Sequence, residues 1–331
     1  MGNKLDHVAF NVPDVRKAAT DFNKAFGIGS VLVFNEPLGL YIAVSDVGLV
    51  LSEEIDPKEN PSPVRKAWCN NFVTAIEVKV PDRDAVHEKM LARGVKPIFE
   101  MYSAFGFREW YYSGDNFYGF PAVVNEYPSE SIIQAVDEDL SDSPEEYGAE
   151  ITWNWEAGWE GWSRKGKDYP DLADNIEATS DSRIGSVVLN VPGQVDAIAK
   201  DFHDLFDMDF ITVKDEALGL RIALGDAGYA FCEPLGSSKI EDNFGAGVLG
   251  GLEIKVSDIE EADKKLQEMG VKPVYERNAP GGLRERYYEK DRFSGIPLLV
   301  RQYGESLLES LAPGLAGDPG KYPSEVNWLR G

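Results

Sequence analysis

Polar and apolar positions alternate over residues 7–12, as in a strand with one buried face, and then recur at helical spacing from Val15 to Phe26. Short apolar runs follow at 31–34, 40–44 and 49–52, and Gly39 and Gly48 split them into three strands. The same order then returns. Residues 73–80 read as a strand and 83–93 as a helix stopped by Gly94, with strands near 97–101, 108–112 and 122–127.

That scheme is written twice more, because the chain is a tandem duplication. Gly94, Arg108, Glu109, Tyr111, Tyr112, Gly119 and Tyr127 return 176 residues later as Gly270, Arg284, Glu285, Tyr287, Tyr288, Gly295 and Tyr303. Earlier, Asn11, Phe22, Phe26, Gly39, Leu40 and Glu53 return as Asn190, Phe202, Phe206, Gly219, Leu220 and Glu233. The pattern predicts an α+β protein of four βαβββ modules, starting near His7, Ala75, Ser186 and Gly251. Two domains are expected at 1–130 and 183–304, joined by a linker at 131–182 and followed by a C-terminal strap at 305–331.

Charge changes the picture mainly at the linker. Residues 131–182 hold fourteen acids against three bases, so −11 of the net −24 lies there and the other 279 residues share −13. This balance disfavours nucleic acid and anionic membrane, both polyanions, and suits a neutral or cationic small molecule. Trp153, Trp155, Trp159 and Trp162 crowd the linker, and aromatics of that size imply packing on a domain surface or a lid over a pocket. The two cysteines, Cys69 and Cys232, have no metal or redox spacing and read as free thiols of a reducing compartment. No apolar run reaches the length of a membrane span, so a cytoplasmic location is expected. Self-association, including exchange of modules between chains, stays open.

The openings His7-Val-Ala-Phe-Asn-Val-Pro-Asp14 and Ile76-Glu-Val-Lys-Val-Pro-Asp82, with the helix ending Phe22-x-x-x-Phe26, resemble the vicinal oxygen chelate superfamily. That superfamily includes glyoxalase I, extradiol dioxygenases and bleomycin-resistance proteins. Gly119-Phe-Pro and Gly295-Ile-Pro are similar to its glycine turn before the last strand. The resemblance implies that modules pair into two curved sheets, each enclosing a pocket, with or without a divalent metal.

By that resemblance the metal positions of the first half fall on His7, Ser52, Ala75 and Val123 or Asn125, and those of the second on Ser186, Cys232, Gly251 and Leu299 or Arg301. In the first set only His7 is a plausible ligand, the second has no histidine or carboxylate, and no metal or other cofactor is expected. The resemblance also implies that dioxygenases of the group need two histidines and a carboxylate. The other histidines, His87 and His203, lie on helices and read as solvated.

Strand alternation names the remaining candidates. If His7 faces the pocket, Ala9 and Asn11 do too, and Ala75, Glu77 and Lys79 share that side. Glu253 and Lys255 repeat the pattern. Glu77 suits proton abstraction beside a carbonyl or from a phenol, or else it is a structural ion pair with Lys79. His7 is a remnant ligand, a general base or a satisfied strand histidine. Arg108, Trp110 and Tyr112 alternate along one strand face and offer a cation, an indole and a phenol to a planar or anionic ligand; Arg284, Arg286 and Tyr288 repeat that face. The bland alternative is a salt-bridged wall. Asn125 and Arg301, at the fourth metal position, join the substrate-contacting set.

No phosphate loop and no Gly-x-Ser-x-Gly elbow occurs, so nucleotide cofactors and serine hydrolysis are not expected. Three functions remain. The first is a metal-independent lyase or isomerase acting on an aromatic or carbonyl compound, with Glu77 or His7 as base, Tyr112 as acid and Arg108 stabilising negative charge. The second is an antibiotic-like sequestration protein. The third is a divalent-metal-dependent extradiol-type dioxygenase or glyoxalase-like enzyme, with ligands such as Glu77 or Glu126.

Overall fold

The computed structural model describes residues 4–35, 39–45, 47–55, 73–103, 107–128, 149–153, 175–236, 249–288, 293–316, 320–322 and 326–329. The chain divides into two units, residues 1–23 with 28–179 and residues 24–27 with 180–331.

The first unit runs β1 (Lys4–Asn11), α1 (Val15–Phe26), β2 (Val31–Asn35), β3 (Leu40–Val44), β4 (Leu49–Glu54), β5 (Val73–Lys79), α2 (Arg83–Ala92), β6 (Pro97–Ser103), β7 (Arg108–Tyr112), β8 (Ala122–Glu126) and β9 (Ala149–Trp153). These strands form one curved sheet in the order β2, β3, β4, β1, β5, β8, β7, β6, β9. Within each module the first and last strands are parallel, β1 with β4 and β5 with β8. A parallel pair needs a long crossover, which the helix and two middle strands supply. The two modules then meet antiparallel at β1 and β5, so the pairing lies within one half of the chain.

Helix α1 buries Val15, Ala18, Ala19, Phe22, Ala25 and Phe26, a stripe at helical spacing. Helix α2 starts where the Asp82 side chain accepts from Ala85 N, and it stops before Gly94 at φ +77°. The helices cover one face of the sheet, called here the outer face. On the inner face Ala9, Val33, Leu40, Phe99, Tyr111 and Val123 belong to one buried cluster.

The second unit repeats the plan with β10 (Arg183–Asn190), α3 (Val195–Phe206), β11 (Ile211–Asp215), β12 (Leu220–Leu224), β13 (Tyr229–Pro234), β14 (Leu249–Lys255), α4 (Ile259–Glu268), β15 (Pro273–Asn278), β16 (Arg284–Tyr288) and β17 (Leu298–Gln302). After it come α5 (Leu307–Leu315) and β18 (Asn327–Trp328). The sheet order is that of the first unit, β11, β12, β13, β10, β14, β17, β16, β15, β18.

Two segments expected to be irregular contribute the ninth strands. Trp153 in β9 pairs with Phe99, and Trp328 in β18 pairs with the equivalent Tyr275. The repeat therefore extends into both the linker and the C-terminal strap. The other linker tryptophans, Trp155, Trp159 and Trp162, lie outside the described residues, as does Cys69. Helix α5 opens with Ser306 Oγ accepting from Glu309 N, and its Leu307 and Leu311 join the inner-face cluster of the second sheet together with Tyr322. That inner face is filled by the domain's own C-terminal segment. Among the described residues no helix is long and apolar enough to cross a membrane.

Candidate functional site

The first domain's site begins with an irregularity in β1. Leu5 is paired with Val78 and His7 with Glu77, so Asp6 is an extra residue in the ladder. A bulge of this kind breaks strict alternation, and here both Asp6 and His7 reach the same cluster. Gly48 makes room beside it: at φ +86°, a Cβ there would sit 2.8 Å from the Asp6 carbonyl oxygen.

His7 lies between two carboxylates. Its Nδ1 is 2.8 Å from Asp6 Oδ2 and its Nε2 is 2.6 Å from Glu77 Oε1. The Asn125 amide donates to Glu77 Oε2 at 3.0 Å and to Asp6 Oδ2 at 3.2 Å, while the Tyr127 hydroxyl donates to Asp6 Oδ1 at 2.5 Å. Lys79 Nζ lies 3.6 Å from the centre of the Tyr127 ring. His7, Glu77, Asn125 and Tyr127 are buried, His7 at 2% exposure, while Asp6 and Lys79 are half-buried.

Burial would favour a neutral imidazole, but the Glu77 charge and the hydrogen bonds to Asp6 and Glu77 push His7 up to about 10. Burial works to raise Asp6 too, and the bond and charge of His7, with Tyr127 and Asn125, hold it below the usual carboxylate range. Glu109 behaves differently. Burial and the nearby Glu77 charge push its carboxyl well above the usual range.

The structure brings together His7, Glu77, Asn125 and Lys79 of the expected site residues. Asn11 stands at the C-terminal end of β1, paired with Ser52. Arg108, Trp110 and Tyr112 are on the outer face, turned to α2. Arg108 approaches Asp84 at 3.6 Å, Trp110 stacks on His87 at 4.1 Å, and the Tyr112 hydroxyl is 2.8 Å from His87 Nδ1. His87 is thus partly buried in an aromatic contact, contrary to the solvated position expected. His203 is the exposed one, facing Asp209. Glu126 also leaves the inner face, accepting from Arg83 N at the start of α2.

The second domain shows the same division. Arg284 and Arg286 pair with Glu260 of α4, and the Tyr288 hydroxyl donates to Asp263 at 2.7 Å. These three belong to the helix contact, whereas Glu253 and Arg301 face inward. The β10 bulge recurs, with Gly185 and Ser186 in the places of Asp6 and His7. A Cβ on Gly185 would lie 2.2 Å from Glu253 Oε1, so a counterpart of Asp6 there would displace that carboxylate. Arg301 donates to Glu253 at 2.5 Å and to Glu285 at 2.6 Å. Arg277 approaches Asp215 at 2.7 Å and Glu285 at 3.2 Å. Cys232 is a buried free thiol pushed up to about 12 by burial.

Alternation missed three inner-face residues. Asp6 needed the bulge, whereas Glu109 and Tyr127 were visible in the repeat as Glu285 and Tyr303 but were left off the inner face. Asp6, His7 and Glu77 are the described residues whose potential ligand atoms converge, all within 4.8 Å of one another.

No family model and no curated protein matches this chain. Solved structures do match over most of its length. A variant of 4-hydroxymandelate synthase from Streptomyces coelicolor is similar at a TM-score of 0.61 and 13% identity, covering 94% of this chain and 98% of that one. The Mn(II)-bound glyoxalase from Novosphingobium aromaticivorans gives 0.54 and 13%, over 92% and 83%. The 2,2',3-trihydroxybiphenyl 1,2-dioxygenase from Sphingomonas wittichii gives 0.54 and 12%, over 93% and 92%. The chain thus shares the fold of these solved structures across both of its halves.

Proposed function

We propose that the first domain's inner face is the catalytic site of a divalent-metal-dependent enzyme acting on a small oxygen-bearing molecule. The observation that carries it is the convergence of His7 and Glu77 on adjacent strands, backed by Asp6. The donor set fits such a cation. His7 Nε2 and Glu77 Oε1 are 2.6 Å apart, a hydrogen-bond distance, so a cation held by both would displace the proton they share. Asp6 on Nδ1 is then the carboxylate that fixes the imidazole tautomer. His7 and Glu77 would hold the metal, which supplies a Lewis acid for polarising a substrate oxygen.

The chain's own groups do the rest. Asn125 holds the Glu77 carboxylate in place by its amide bond, and Tyr127 holds Asp6. The apolar wall of Val33, Leu40 and Phe99 excludes water from a bound ligand. The fold's printed neighbours, a synthase, a glyoxalase and a dioxygenase, support an enzyme of this general kind.

The test is Mn(II) binding by calorimetry and electron paramagnetic resonance, followed by turnover of a catechol and of 2-oxo and 2-hydroxy acids. One Mn(II) per chain is expected, with affinity falling at least about tenfold in Glu77→Gln. Unchanged affinity in that variant overturns the reading.

A metal-free lyase or isomerase is the second reading, favoured by the proton that His7 holds between two carboxylates. In that case Glu77 takes a proton from substrate and His7 balances the charge. Glu77→Gln then keeps ligand binding and lowers turnover at least about tenfold without any response to chelator. Ligand recovered unchanged after tight binding would instead favour sequestration.

A further inference from the structure

The duplication supplies an internal template for what the first site binds. In the second domain the buried Glu285 is held by Arg301 Nε at 2.6 Å, Arg277 Nε at 3.2 Å and the Tyr275 hydroxyl at 3.0 Å. Its first-domain counterpart is Glu109, equally buried at 5% exposure. There Arg301 is replaced by Asn125, Arg277 by Met101 and Tyr275 by Phe99, at the same places in the ladders. The acid is common to both domains, while the two guanidinium groups and the phenol that hold it are replaced by an amide, a thioether and a phenyl ring. Among the described residues Glu109 has no hydrogen-bond or ion-pair partner.

A second atom beside it is also unmatched. Asn125 is 0% exposed, and its amide nitrogen is committed to Glu77 and Asp6, two acceptors that fix the amide orientation. Its Oδ1 is buried with no donor. Buried acceptors without donors are costly, and an uncompensated buried carboxylate more so. What Glu109 and Asn125 Oδ1 lack is a donor, and for the acid one that also carries positive charge.

We infer that the first domain's inner face binds the cationic end of a small-molecule ligand, a guanidinium or amidinium group, between Glu109, Glu77 and Asn125 Oδ1. The inference deepens the proposed function, since it rests on this face being the ligand site, and it names the substrate class. The template says why the cation is planar. In the second domain one guanidinium bridges Glu253 and Glu285, giving Nη1 to one carboxylate and Nε to the other. Glu77 and Glu109 are the same two carboxylates, and the shorter Asn125 side chain provides no such fork. A planar group with donors on two edges reproduces the bridge.

The probe is methylguanidinium, titrated calorimetrically into the full chain at constant ionic strength, with methylurea as its neutral counterpart. The expected result is one methylguanidinium per chain, methylurea at least about tenfold weaker, and a similar loss in Glu109→Gln. Asn125→Arg supplies the second domain's own guanidinium and should abolish binding. Equal binding of methylurea, unchanged affinity in Glu109→Gln, or retained binding in a folded Asn125→Arg protein each overturns the inference. So does a protein that ignores methylguanidinium while losing Mn(II) in Glu109→Gln, because the acid then belongs to the metal. Methylguanidinium bound by a chain that takes no Mn(II) would sustain this inference and defeat the metal reading of the site.

Discussion

The inner faces of the two domains carry the same two carboxylates and oppose them with different charges. In the second, Glu253 and Glu285 are bridged by Arg301, Arg277 adds Asp215, and Leu307, Leu311 and Tyr322 close over the cluster. In the first, Glu77 meets a histidine and an amide, and Glu109 meets neither cation nor donor among the described residues. Burial is alike in the two. The counter-charge separates them, and it turns one copy into a strut while the other keeps groups that can exchange a proton, a metal or a ligand.

The largest test of this contrast is to remove the bridge. Arg301→Met leaves Glu253 and Glu285 buried with no fork between them, and breaking a buried pair from one side costs about 3 to 5 kcal/mol. The unfolding midpoint should fall by about 10 °C. Asn125→Ala, at the matching position, removes amide bonds and should cost about 1 to 2 kcal/mol. Equal losses in the two variants would erase the distinction between strut and site.

A smaller effect sharpens the contrast through pH. His7 is raised in the folded chain from 6.5 to about 10, so the stability it contributes is complete below its unfolded value and lost as pH rises through about 10. Its amount is on the order of a few kcal/mol. Ser186 stands in the second domain's place and does not titrate. Unfolding midpoints measured from pH 6 to 10.5 should therefore show an alkaline decline that His7→Ala removes. A decline of equal size in the variant would assign it to another group.

The fold was legible because hydrophobic period and duplication agree at every module, and only the ninth strands escaped. Trp153 and Trp328 occupy equivalent places, 175 residues apart against the repeat's 176, but they lie in stretches whose composition reads as a linker and a strap. The site was legible in part. Alternation separates Glu109 from Arg108 and Trp110 without saying which group faces the helix, and β7 is mixed on both sides. The helix partner decides it: His87 and Asp84 draw Tyr112, Trp110 and Arg108 outward. Asp6 was hidden for a different reason, since period-two reading cannot foresee a bulge.

The smallest expected effects lie on that outer face, and they test whether the faces are assigned correctly. Tyr112→Phe removes one hydrogen bond to His87 and should cost about 1 kcal/mol. Arg108→Ala loosens a partly exposed pair with Asp84 and should stay within about 0.5 kcal/mol. Both side chains are separated from the inner face by the sheet itself, so methylguanidinium affinity and turnover should match the unmodified chain, while Glu109→Gln and Glu77→Gln change them. A Tyr112→Phe protein of normal stability that has lost turnover would return the phenol to the chemistry and place the working face of β7 beneath α2.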